Sequence, residues 1–262
     1  MRSMGLFFIS AGLIAMCVGM VAFCNMQNDK AIKHMQTTES KGFAVVELFT
    51  SEGCSSCPAA DDLVGRIEKG NENENIYILA YHVDYWDRLG WKDTFSDHAY
   101  SDRQGTYASW MSLSSVYTPQ LIINGDTECI GSDESSVIGG IAAALNKTPA
   151  AVLTLQSVKD GNHLRISHQE TNLKKNTNLV LTLVQKHGES NVRAGENSGR
   201  KLSHVQIVRV LKEIPVKADS NSDVTLDLPA DFNPEGWELV GFLQNSNNGH
   251  ISAAAKVGFH TK

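Results

Sequence analysis

Cys54 and Cys57 are the residues whose types and spacing carry chemistry. They stand in FAVVELFTSEGCSSCPAADDLVGRI, residues 43–67. The apolar run Phe43 to Phe49 breaks into a small polar turn, and a helix-like segment with Leu63, Val64 and Ile67 follows. That order puts both thiols at a helix N-terminus, where unpaired N–H groups and the helix dipole favour a thiolate. The chemistry expected is thiol–disulfide exchange. Cys54 is the exposed nucleophile of this reading, and Cys57 the resolving thiol one turn deeper. Glu52, Asp61 and Asp62 lie close in sequence, and no Lys, Arg or His lies between Glu52 and Asp62. Negative neighbours oppose the dipole, so the reading is a modestly depressed thiol pKa and a reducing poise.

Two other readings use the same residues. Cys54, Cys57 and His82, at the end of the next apolar strand, offer three ligands for copper or zinc. Alternatively the thiols are secondary, and the aromatic stretch Asp84 to Thr118, with Tyr85, Trp86 and Trp91, binds a partner without catalysis. A serine-hydrolase elbow and the phosphate-loop and dinucleotide fingerprints are absent. The net charge of −6 lacks the basic footprint of a nucleic-acid binder.

The elements that must position the dithiol follow from periodicity. The first strand is Phe43 to Phe49, and a helix runs to about Lys69, its Pro58 biasing the start one or two residues late. IYILAYHV, residues 76–83, is a strand apolar enough to be buried on both faces. Ser96 to Met111 reads as a helix. Pro119 opens a strand that ends at the Asn124-Gly125 hairpin signal, and a helix from Asp133 closes this half near Asn146. Cys129 reads as a buried small hydrophobe. From Pro149 onward, short alternating runs such as AVLTLQSV, LVLTLVQK and ELVGFLQN predict a β-sandwich-like domain. The polar loop Arg193 to His204 reads as solvated turn.

With 262 residues and 42% hydrophobic content there is room for one large domain or two ordinary ones. Arg2 precedes an uncharged apolar run, Leu6 to Phe23, which reads as an export signal or membrane anchor, with Cys24 offering lipidation as a third option. The domain plan is residues 1–24 signal or anchor, 25–41 tether, 42–148 the dithiol domain, and 149–262 the β-rich domain. The body is thereby placed outside the cytoplasm, touching membrane only through its N-terminal segment.

The order strand, Cys-X-X-C helix, strand, helix, Thr118-Pro119 strand, hairpin, helix resembles the thioredoxin fold. More narrowly, TSEGCSSCP, YHVDYWDRLGWKD, YTPQLIING and the later GENSGR are similar to a bacterial family of exported thioredoxin-like proteins of unknown function. The resemblance implies an α/β thioredoxin-like domain, a mixed sheet flanked by helices, followed by the β-rich domain. It implies that Pro119 is the cis proline facing the dithiol, and that Thr118 offers its backbone to a substrate strand. It also implies that Glu47 is a buried proton acceptor. Gly53 stands where thioredoxin has Trp, and Ser55-Ser56 where it has Gly-Pro. Beyond the cysteine pair no cofactor is implied. The expected partners are protein thiols or disulfides of the envelope and a protein that recharges the pair.

Overall fold

The computed structural model describes residues 42–71, 74–216 and 223–259. The expected signal segment and tether lie outside the described residues. Strand β1 (Ala44–Thr50) runs into helix α1 (Cys57–Gly70) and then strand β2 (Ile76–His82), which pairs in parallel with β1 from Ala44↔Ile76 to Thr50↔His82. Helix α1 begins at Cys57, without the expected delay, because Pro58 sits in the first turn, where its missing N–H costs no bond. A 3₁₀ turn (Asp84–Leu89) leads to α2 (His98–Trp110), capped by the Asp97 carboxylate on the Ala99 N–H. Strands β3 (Gln120–Ile123) and β4 (Thr127–Ile130) form a hairpin. Asn124 and Gly125, with φ of 51° and 68°, supply the left-handed residues that such a tight turn requires. Helix α3 (Glu134–Leu145) follows.

The second half is all strand: β5 (Val152–Asp160), β6 (His163–Thr171), β7 (Thr177–Asn191), β8 (Lys201–Pro215), β9 (Val224–Asp227), β10 (Trp237–Asn245) and β11 (Ile251–Gly258). In β11 the small-residue run Ala253 to Ala255 gives little periodicity. Eight strands form one mixed sheet in the order β11-β10-β7-β8-β2-β1-β3-β4. Strands β5, β6 and β9 form a second, antiparallel sheet. The chain is thus α/β with a large mixed sheet, few helices and a smaller sheet packed on one end.

The large sheet runs through the boundary expected near Thr148. Strand β8 lies beside β2, meeting it in parallel at Ala80↔Ile207, so the second half extends the sheet of the first. The β-rich half is therefore built onto the dithiol half rather than folded apart from it. Three apolar cores result. Ala44, Val46 and Leu48 of β1 pack under α1 and α3 with Leu63, Val64 and Ile141. Val45 and Phe49 face the other way, toward Tyr81, Tyr100 and Tyr107, as strand alternation requires. The third core joins the small sheet to β7, β10 and β11 through Leu153, Leu164, Leu181 and Leu239.

Candidate functional site

Cys54 and Cys57 are joined as a disulfide across the first turn of α1, with Cα atoms 5.4 Å apart. The Cys57 N–H donates to the Cys54 carbonyl at 3.3 Å. Across the site, the Thr118 carbonyl oxygen lies 3.8 Å from Cys54 Sγ, and the Thr118-Pro119 peptide is cis. The Ser56 hydroxyl reaches the same pair, 3.3 Å from Cys54 Sγ and 3.5 Å from the Thr118 oxygen. Trp86 Nε1 donates to Thr118 Oγ1 at 2.8 Å. Chain folding therefore brings together Cys54, Cys57, Thr118 and Pro119, as expected.

Cys54 is not exposed. It is 1% accessible and Cys57 is fully buried. The cover comes from two directions. Trp86 lies against Gly53, where a Cβ would stand 3.0 Å from the Trp86 Cβ, so the glycine at this position is what lets Trp86 close in. On the other side, the loop between β7 and β8 is pinned down. The buried Asn197 amide donates to the Glu52 and Cys54 carbonyls at 2.9 and 2.8 Å, and Glu196 accepts the Ser55 N–H at 2.9 Å. Gly195, at φ 77°, supplies the turn that brings this loop against Gly53. The stretch read as solvated turn is a lid on the dithiol. GENSGR was a motif of the resemblance, but nothing in its composition says which surface it covers.

Glu47 is not brought to the thiols. It points to the face of the sheet away from α1, where Arg103 Nε donates to its carboxylate at 2.6 Å and the Tyr107 hydroxyl donates to its other oxygen. Arg103, also bonded to Gln244 and Glu213, stays cationic: burial pulls its pKa down, but Glu47, Tyr107 and Tyr81 together outweigh this, and the net shift is up. Glu47 is committed to a buried ion pair that ties β1 to α2.

The buried acid on the dithiol's own helix is Asp61. It stands four residues after Cys57, one turn along the buried face of α1, within side-chain reach of it. One Asp61 oxygen accepts the Thr50 hydroxyl at 3.1 Å, and the other lies 3.2 Å from Nδ1 of His204, a residue of β8. His204 Nε2 is 3.8 Å from Glu52 Oε1, and its ring packs edge-on against His82 with centroids 4.8 Å apart. His82 in turn bonds Asp93 at 2.7 Å, and Asp93 also accepts the Glu52 N–H at 2.8 Å. Trp91 Nε1 holds the second Glu52 oxygen at 2.6 Å. Glu52, His82 and His204 are each at most 2% accessible. Burial pulls the His82 pKa down, but Asp93, then Asp61 and Glu52, pull harder, and the net shift is up. Burial likewise pushes Asp93 up, but His82 and the Glu52 and Phe95 N–H groups together outweigh it, and the carboxyl ends below its usual range. Glu52 Oε1, His82 Nε2 and His204 Nε2 have no hydrogen-bond partner among the described residues.

The Cys54, Cys57 and His82 ligand set does not form. His82 is engaged with Asp93 and His204, and among the described residues no group of three or more His, Cys, Asp or Glu is placed to hold a metal ion. Cys129 is half-buried rather than buried. It is a free thiol on edge strand β4, pushed up to about 11 by burial and then by Glu128 and Asp133.

A family model described as "Protein of unknown function (DUF1223)" matches residues 45–244, most of the chain. A crystal structure of an Agrobacterium tumefaciens protein from a structural genomics programme is similar, at 26% identity and a TM-score of 0.62. The match covers 84% of this chain and 95% of that one. A domain of the outer membrane lipoprotein Omp28 from Porphyromonas gingivalis matches at 13% identity and a TM-score of 0.29, over 43% of this chain and 89% of that one. No curated protein matches.

Proposed function

The chain belongs to the DUF1223 family, and we propose that it is a thiol–disulfide oxidoreductase acting on other proteins of the cell envelope. The observation that carries this reading is the Cys54–Cys57 disulfide at the start of α1, facing the Thr118 carbonyl. The strand order β2-β1-β3-β4, with β1 and β2 parallel and β3 antiparallel to β1, supports a thioredoxin-like reading of the first half. Export rests on the apolar run Leu6 to Phe23.

In the reduced protein the Cys54 thiolate attacks a substrate disulfide, forming a mixed disulfide and releasing one substrate thiolate. Cys57 then gives up its proton, attacks Cys54 Sγ and expels the second substrate thiolate. The substrate disulfide ends as two thiols and the protein ends as its disulfide. A thiol-bearing partner protein returns two electrons. The proton acceptor for Cys57 is the Asp61–His204 pair, since Glu47 faces away from it. The Thr118 carbonyl, which in the reduced state accepts the Cys54 S–H, is the backbone group that orients an incoming chain.

The test is the redox equilibrium of the Cys54–Cys57 couple, with turnover of a disulfide-bonded protein substrate. The expected potential lies near the thioredoxin value of about −270 mV, with turnover abolished by Cys54→Ser. A reduced protein that exchanges with no disulfide, peptide or protein, would overturn the reading.

A further inference from the structure

At the far end of α1 from the dithiol, the sheet opens. Strands β2 and β8 meet at Ala80↔Ile207, and a cavity of about 200 Å³ lies beside that point, lined by residues of both strands. Isoleucines of α1 and β2 form one wall, and Glu68, Asn71, Lys186, Gln206, Glu238 and Lys256 line the rest. Gln206, immediately before the meeting point, adopts φ 53°, a left-handed conformation that a residue with a Cβ holds only against steric cost.

Two observations point to a ligand. Gln206 is 7% accessible, and its Nε2 donates to Glu68 Oε1 at 2.6 Å, while its own Oε1 has no hydrogen-bond partner. Glu68 Oε2, also shielded from solvent, has none either. Two acceptors at one wall, both dry and empty-handed, call for a donor with several hydrogens. The charges supply the second observation. The lining carries two carboxylates, Glu68 and Glu238, and two ammonium groups, Lys186 and Lys256, so its formal charge is zero, and neither lysine forms an ion pair with a described residue. A simple cation or anion would unbalance such a site. A small zwitterion would not.

We propose that this cavity binds a free α-amino acid with a short apolar side chain. The ligand's ammonium donates to Glu68 Oε2 and Gln206 Oε1, its carboxylate lies toward Lys186 and Lys256, and its side chain meets the isoleucines. The volume is enough for one small amino acid. This inference stands on its own geometry, whatever the dithiol does.

Calorimetry on the full exported chain tests it, using glycine, alanine and valine as probes beside acetate and methylammonium. One of the amino acids is expected to saturate one site per chain, at least about tenfold more tightly than either half-molecule. Glu68→Gln and Lys256→Met, each confirmed folded by a cooperative melt, are expected to weaken it by about tenfold or more. Thiol exchange should be unchanged in both. No saturable binding of any of the three amino acids to the unmutated chain overturns the proposal, and so does acetate or methylammonium binding as tightly as they do. Either result is read without the variants, so a variant that fails to fold does not shelter the idea.

Discussion

Asp61 Oδ2 and His204 Nδ1 lie 3.2 Å apart, one helical turn from Cys57, although 143 residues separate them in the chain. Each comes from a different half of the protein, one from the dithiol helix and one from strand β8. Their meeting makes the second half part of the site.

His204→Ala and Asp61→Asn should therefore slow resolution of the mixed disulfide by about a hundredfold, the usual worth of a placed proton acceptor. Attack by Cys54 should be little affected. Quenched samples are expected to accumulate the mixed disulfide, and the resolution step should become steeper with pH, as hydroxide replaces the lost base. Unchanged resolution in both variants would remove the pair from the mechanism.

Glu47 predicts the opposite pattern. Glu47→Gln removes the buried partner of the Arg103 cation and leaves it only the part-exposed Glu213, and breaking a buried pair costs up to about 3 to 5 kcal/mol. Urea unfolding should show that loss, while the folded variant resolves mixed disulfides at the ordinary rate. A stable Glu47→Gln protein with slow resolution would return the proton acceptor to β1.

These two cases mark how far local sequence reaches. Cys54, Cys57, Thr118-Pro119 and the Asn124-Gly125 hairpin are short-range signals, each with its own steric or chemical reason, and they meet where strand order brings them. Whether Glu47 faces the thiols is a question of strand parity, and alternation with Val45 and Phe49 answers it only once the partner of each face is known. His204 and Asn197 carry no local mark. In HVQIVRVL the histidine is one more polar position in a β-run, and its role depends on β8 inserting beside β2 at one point of contact. Periodicity predicts that a strand exists and is silent on its neighbour. For the same reason periodicity says nothing of the one sheet that carries strands of both halves.

The His82–Asp93 pair should give stability a pH window. His82 has its pKa raised, against burial, chiefly by Asp93, so its contribution is complete below about pH 6.5 and fades as pH rises through the folded value. Asp93 has its pKa lowered, so its contribution is present above about pH 4 and fades as pH falls through the folded value. Thermal melts from pH 4 to 9 should show stability held across the middle and declining toward the alkaline end. In His82→Asn the alkaline decline should flatten, so that the two profiles converge as pH rises above neutrality. A wild-type profile flat through pH 9 would mean that the imidazole is not charged in the folded protein.

The lid on the dithiol makes the last prediction, and it separates access from acidity. Asn197→Ala leaves the Glu52 and Cys54 carbonyls without their donor, which costs about 1 to 3 kcal/mol and releases the loop. The disulfide should then react faster with a small thiol reductant, because Cys54 is no longer 1% accessible. Glu196→Gln keeps the loop's shape but removes a negative charge from the Ser55 N–H at the start of α1. An anion there opposes the Cys54 thiolate, so its removal should lower the thiol pKa. A lower thiol pKa stabilises the reduced form at neutral pH and moves the couple toward a more oxidising potential. Glu196 is exposed, so the shift should shrink as salt is added, whereas the effect of Asn197→Ala on reduction rate should not. If both variants change the rate alone, with the potential fixed, the loop is a lid and nothing more.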